Sequence, residues 1–392
     1  MDIHIIPGVK ARAVAEAHQK DMLIQGEHDC KCMTYWIDEE RENVFCLIEA
    51  SGKEAVEEMH SRAHGLVPNK IIEVSSSLVE SFLGRIYDPA EAAITGDGLK
   101  VFHDPSFRIL MVTTIIDPVL LQYKIGVEKA NELLCRHNEV IRKNLSNFEG
   151  REVEHNGTGF IGSFSSAAKA VSCALAVQKD LTDAGADATG FRIAINAGEP
   201  VSKTDRLFGD TIQSAGYMCT IAENCQVVVA PAVKELVSKD NFQRPGNIKT
   251  LAPADAVLLE LLFNKLEENW QNPGFNVTDY CQAMAMSKSQ LYRKTTGLAG
   301  LSPNLLLKEF RLEKAKELMK KQRYTISQIT FDSGFTSPSL LIAARSRRRS
   351  LTSLPRSKII GFNPNSKQRK AANNPAGPAP TIKTGLLLFT SG

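Results

Sequence analysis

Apolar residues recur along this chain at different spacings, and the changes of spacing divide it. In the first 90 positions short alternating runs dominate. Residues 2–6, 32–37, 44–50 and 70–74 read as strands, with a turn at Asp38-Glu39-Glu40 between the middle two. Residues 11–24 and 53–64 instead carry apolar positions three and four apart, the period of a helix with one buried face. The resulting order, βαββαβ, is that of a ferredoxin-like α+β sandwich.

The mixture returns from residue 107 to about 251. Strands are expected over 108–116, 151–155, 159–164, 191–197 and 226–230, and helices over 118–148, 167–182 and 210–222. The pair 151–155 and 159–164 reads as a hairpin over Asn156-Gly157. A linker with Pro245, Gly246 and Pro253 follows over 240–253, and a helix over 254–270.

Beyond residue 275 the strand period stops. Residues 277–285 form a short helix with Val277, Tyr280, Cys281 and Met284 on its apolar side. A turn at Met286-Ser287 leads into a second helix with Ser287 as N-cap. Leu291 points this helix at its core, which leaves Ser289, Gln290, Tyr292, Arg293 and Lys294 outside. That arrangement is a helix-turn-helix whose polar, basic second helix suits a DNA major groove. An amphipathic helix over 305–320 joins it to a second copy. There Ile326, Ile329 and Phe331 carry the apolar face and Gly334 makes the turn. Thr336-Ser337-Pro338 opens the next helix, placing Ser337 and Ser339 at its reading end.

The fold class expected is therefore multidomain: two α+β ferredoxin-like domains, an all-α double helix-turn-helix domain, and a disordered tail. The boundaries are 1–90, 105–251, 254–350 and 351–392. Trp36 and Trp270 are expected in the core.

Charge sharpens this division. The chain holds 47 Lys and Arg against 44 Asp and Glu, but 10 of the basic residues and none of the acidic ones lie in residues 340–392. The rest is acidic on balance, so a DNA-binding face must be local. No run of apolar residues is long enough to span a membrane, and the N-terminus lacks a charged-then-apolar leader pattern. Eight scattered cysteines without a disulfide-rich spacing suit a reducing cytoplasm.

The first domain carries candidate metal chemistry. His60 and His64 stand at i and i+4 on one helix face, and Cys30 and Cys32 alternate onto one face of a strand. His4 and Cys46 are further donors. Cys30, Cys32, His60 and His64 suit nickel, zinc or copper, with nickel or zinc expected. The alternative is a surface histidine pair beside half-buried cysteines that hold nothing.

Three resemblances follow from these residues. The segments CKCMTYW, FCLIEA and HGLVPNKIIEV resemble a small bacterial nickel-binding ferredoxin-like family. The segments GREVEHNGTGFIGSFSSAAKAVSCALAVQ, FRIAINAGEPV and LFGDTIQSAGYMCTIA resemble the catalytic domain of class III adenylate/guanylate cyclases. LSPNLLLKEFRLEKAKELM followed by TISQITFDSGFTSPS resembles the DNA-binding domain of AraC/XylS-type bacterial transcription regulators.

The cyclase resemblance implies two-metal phosphoryl transfer, whose ions need carboxylate ligands. The two ligand positions fall on Thr114 and Thr158, and Asp117 comes three residues late. The family's base-reading lysine falls on Glu154, and its transition-state asparagine and arginine fall on Gln213 and Tyr217. A cyclase-like domain without activity is expected, with no catalytic residue and no nucleotide cofactor, serving in dimerisation or holding an unknown ligand.

After Ser339 the chain departs from the AraC pattern and gives LLIAARSRRRSLTSLPRSK, where an aromatic pair and a Phe-Lys-Lys-rich helix are expected. Either the coding frame shifts near Ser339 or a natural basic tail binds DNA non-specifically.

The reading is a cytoplasmic bacterial transcription regulator that binds double-stranded DNA as a homodimer, under a small-molecule or metal effector and away from membranes. Ser287, Ser289, Gln290, Tyr292, Arg293, Lys294, Ser337 and Ser339 are its DNA-facing candidates. The alternatives are a class III nucleotide cyclase with an appended DNA-binding domain, and a metal-binding protein.

Overall fold

The computed structural model describes residues 1–155, 159–183, 190–238, 247–321 and 323–342. Thr158, the Asn156-Gly157 turn and the tail beyond residue 342 lie outside them. The chain has an α+β N-terminal region, a sheet-rich middle and a helical C-terminal region.

The N-terminal region runs β1 (Asp2–Ile5), α1 (Ala11–Ile24), β2 (Cys30–Asp38), β3 (Asn43–Ala50), α2 (Lys53–Ala63) and β4 (Lys70–Ile71). The sheet order is β2-β3-β1-β4, and every neighbouring pair is antiparallel. Both faces of this sheet are covered, which explains the run of buried Tyr35, Trp36 and Ile37 within β2. Tyr35 and Ile37 pack with Val14 and Ala15 of α1. Trp36, Phe45 and Ile3 point the other way, into a cluster with Leu110 and Phe208 of the middle region.

That second face also receives a helix not expected from the sequence, α3 (Ser76–Leu83). Ser75 caps it by accepting from the Leu78 N–H at 3.3 Å, and Gly84 at φ 87 ends it. The fourth strand is correspondingly shorter than the 70–74 read from the pattern. A small hairpin, β5 (Ala93–Ile94) and β6 (Lys100–Val101), leads to the middle sheet.

The middle region contains β7 (Arg108–Ile115), α4 (Pro118–Ile125), α5 (Val127–Asn147), β8 (Arg151–His155), β9 (Phe160–Phe164) and α6 (Ala167–Asp183). It continues through β10 (Phe191–Gly198), α7 (Gly209–Ile221), β11 (Gln226–Val229), α8 (Pro231–Glu235) and β12 (Ile248–Thr250). The order is β12-β11-β10-β7-β9-β8. Two expectations are corrected here. The single helix over 118–148 breaks at Gly126, whose φ of 86 no regular right-handed helix accommodates. The linker over 240–253 contributes β12, which pairs in parallel with β11.

The C-terminal region is helical: α9 (Pro253–Asn269), α10 (Val277–Ala283), α11 (Lys288–Ala299), α12 (Pro303–Lys320) and α13 (Ile326–Asp332), with residues 338–342 also helical. Its two halves differ in anchorage. One continuous core runs from Ile109 of β7 through Phe263 of α9 to Leu291 of α11 and Phe310 of α12. Leu312, Ala315, Ile329, Phe335 and Leu341 form a separate small cluster under the second half.

Candidate functional site

The exposed face of α11 is built from its cap outward. Ser287 Oγ accepts from the Gln290 N–H at 3.3 Å, and Gln290 Oε1 accepts from the Ser287 N–H at 2.9 Å. This reciprocal cap fixes the first turn and engages the Gln290 side chain. Leu291 is fully buried, so Ser289, Tyr292, Arg293 and Lys294 all face solvent, with Tyr292 46% exposed.

The helix behind it is held equally firmly. Asn276 and Asp279 form a capping box on α10, and the Tyr280 hydroxyl donates to the Leu262 carbonyl of α9 at 3.0 Å. Buried Arg311 of α12 donates from Nε to the Trp270 carbonyl at 2.9 Å and from Nη2 to those of Asn272 and Phe275 at 2.6 and 3.2 Å. Three carbonyls thus satisfy a guanidinium that burial alone would penalise.

The second helix pair is looser. Thr325 and Gln328 form its capping box, and Ile329 is buried. Ile326 and Phe331, expected on the same apolar face, are 66% and 56% exposed. Phe331 lies two residues beyond Ile329, and two helical steps carry a side chain to the opposite side. Gly334 has φ 76, and a Cβ there would meet the Trp270 carbonyl oxygen at 2.0 Å. Ser337 accepts weakly from the Leu340 N–H at 3.4 Å and so caps residues 338–342, while Ser339 is exposed.

In the middle region, Thr114 sits half-buried on β7, where its Cα partner is Arg192. Glu154 is exposed on β8. Asp117 Oδ2 lies 4.0 Å from Lys316 Nζ of α12. Gln213 Nε2 donates to the Tyr217 hydroxyl at 2.7 Å, and the Tyr217 ring stacks on Phe263.

The N-terminal region gathers a different set of polar residues between sheet and helices. His60 Nε2 is 3.2 Å from Asp2 Oδ2, and its Nδ1 is 3.1 Å from Asp21 Oδ1. His4 Nε2 lies 3.6 Å from Asp2 Oδ1, and His64 Nε2 lies 3.2 Å from Asp21 Oδ1. Burial opposes charge on His60, yet its hydrogen bonds to both carboxylates outweigh that and raise its pKa to about 9. Burial alone would raise Asp2, but His4 and His60 hold it well below the usual carboxylate range. Burial, with Asp2 beside it, pushes the Cys46 thiol up.

Of the four metal candidates from the sequence, the fold brings His60 and His64 together but leaves Cys30 and Cys32 outside both donor groups found among the described residues. A register shift between Cys32 and Thr34 and the advance along β2 carry the two cysteines away. Cys32 Sγ lies 3.8 Å from Met59 Sδ, and Cys30 packs with Val56 and Met59. Asp2 and Asp21 were missed, because neither carries a local signal.

Comparison with known proteins gives these regions relatives. Residues 280–352 match a family model described as a helix-turn-helix domain. Residues 1–74 match one described as "Nickel responsive protein SCO4226-like". The chain is 33% identical over 89 residues to "Histidine kinase P4" of Formosa agariphila, a match covering 23% of this chain and 6% of that protein. It is 28% identical over 142 residues to "Putative adenylate cyclase 3" of Rhizobium meliloti, covering 31% of this chain and 24% of that protein. The chain thus spans under a third of either curated relative. A solved adenylate/guanylate cyclase/hydrolase from Silicibacter pomeroyi is similar at 22% identity and TM-score 0.31, over 36% of this chain and 83% of that one. Among the described residues, no helix is long and apolar enough to cross a membrane.

Proposed function

We propose that this chain is a DNA-binding transcription regulator of AraC type acting in the bacterial cytoplasm. In this reading residues 254–350 bind double-stranded DNA, and two ferredoxin-like modules, 1–90 and 105–251, supply sensing and assembly as a homodimer. One observation carries it: the Ser289, Tyr292, Arg293 and Lys294 row is exposed on a helix whose opposite side is locked into the main core. A rigid polar helix with an arginine at its centre can enter a major groove and pair with guanine.

Three features support a non-catalytic role for the middle module. Thr114 offers a hydroxyl where the cyclase reaction needs a carboxylate. Asp117 lies near a lysine of α12. Tyr217 is stacked against α9 rather than open to a nucleotide. Nickel or zinc is the effector this reading favours for the first module. Selecting bound sequences from random duplex DNA tests the proposal. A recovered consensus that disappears with Arg293→Ala supports it, and no enrichment over the input pool overturns it.

A further inference from the structure

The polar chain beneath α1 and α2 is more than the packing of a sheet on helices requires. Asp2 and His4 share one face of β1, and the β1–β3 register places Cys46 directly opposite Asp2. His60 descends onto this face from α2. All four side chains are buried, and their donor atoms lie within 4.8 Å of one another. We propose that Asp2, His4, Cys46 and His60 form an interior site for one divalent cation of the zinc and nickel class, reached through Asp21 and His64.

The donor set fits such an ion. Two imidazoles, a thiolate and a carboxylate are borderline ligands suited to four-coordinate zinc or nickel, at about 2.0–2.3 Å from each donor. The two anionic ligands neutralise a divalent cation, which offsets the cost of burying charge. His60 is already held as metal-bound histidines are: Nδ1 contacts the Asp21 carboxylate while Nε2 faces the interior group. Asp21, His60 and His64 form a second donor group that shares His60, and His64 is its one member not fully buried. Two groups joined at a single imidazole give an ion a stepwise path from surface to interior.

The site rests on the reading of the first module as metal-responsive, and binding is measured without DNA, so loss of operator recognition leaves it untouched. The test uses the full chain, stripped with chelator and titrated with cobalt(II), followed by zinc and nickel competition. The expected result is one ion per chain, with intense tetrahedral bands in the visible and a thiolate charge-transfer band in the near ultraviolet. Cys46→Ser is expected to remove the thiolate band and to weaken binding by more than about ten-fold. Cys30→Ser with Cys32→Ser is expected to change neither. His4→Gln, checked for folding by circular dichroism, repeats the readout should Cys46→Ser fail to fold. A thiolate band that survives Cys46→Ser, or that vanishes in the Cys30/Cys32 double variant, overturns the assignment, as does the lack of any tetrahedral spectrum at one equivalent. In the double-variant case the module still binds metal and only this site is wrong.

Discussion

Tyr217 of α7 stacks on Phe263 of α9 with ring centroids 4.5 Å apart and planes 20° from parallel. Through this contact the middle sheet and the first helix-turn-helix share one core. Removing Phe263, which is 1% exposed, should cost about 3–5 kcal/mol by the cavity it leaves. Phe263→Ala is expected to lower the denaturant midpoint. It should also expose the segment around β12 to proteases, whereas Phe263→Leu should retain most of the stability. A Phe263→Ala midpoint equal to that of the parent would show that the two regions do not share a core.

Arg293 is expected to carry base discrimination. Arg293→Ala should lose about 1–3 kcal/mol between cognate and scrambled duplex. Lys294→Ala should weaken both equally and make the salt slope shallower, as loss of a phosphate contact does. Titrations at several salt concentrations separate the two effects. Equal losses on both duplexes for Arg293→Ala would move the reading role elsewhere.

The middle region is expected to make no cyclic nucleotide from ATP or GTP with Mg²⁺ or Mn²⁺, since a threonine hydroxyl at position 114 is a poor substitute for an ionised carboxylate. Chromatographic product analysis checks this. Turnover that disappears with Asp117→Asn would assign Asp117 the metal and sink the non-catalytic reading.

Gly334 combines positive φ with a close approach to the Trp270 carbonyl. Gly334→Ala should strain that backbone by about 1–3 kcal/mol. Because the cluster of Leu312, Ile329 and Phe335 is separate from the main core, the loss should stay local. Hydrogen exchange is expected to accelerate in α13 while α11 keeps its protection. Uniform acceleration through both helices would contradict two independently anchored halves.

Glu199 accepts from Asn43 Nδ2 at 2.6 Å across the junction of the first two regions, and burial raises its pKa. A carboxyl with a raised folded pKa contributes stability below its unfolded value, and that contribution is lost as pH rises through the folded value. The junction should therefore weaken from acid toward neutral pH. Glu199→Gln keeps an oxygen for Asn43 and should flatten this part of the profile, as followed by thermal melts across pH. An unchanged profile would place the titration elsewhere.

The helical C-terminal region was legible because its signals are local. Ser287 and Gln290 stand three apart, Leu291 falls on the inner stripe, and Asn276 announces α10. The strands β1 to β3 were legible for the same reason, since alternation is read within a few residues. The helix α3 was hidden in a short, serine-rich stretch, and β12 in what composition marks as a linker. Ile326 and Phe331 show the opposite failure: apolar spacing suggested burial that no surrounding element supplies among the described residues.

The sequence alone determined that His60 and His64 share a face, because a helix places i and i+4 side by side whatever surrounds it. It also determined the outward row of α11. Only the tertiary structure decided what His60 meets. Asp2 reaches it because β1 pairs with β3, and Asp21 because α1 lies beside α2. The same pairing selects Cys46 over Cys30 and Cys32. Contacts between residues 39 to 58 positions apart depend on strand register and layer packing, which no periodicity within a single element encodes.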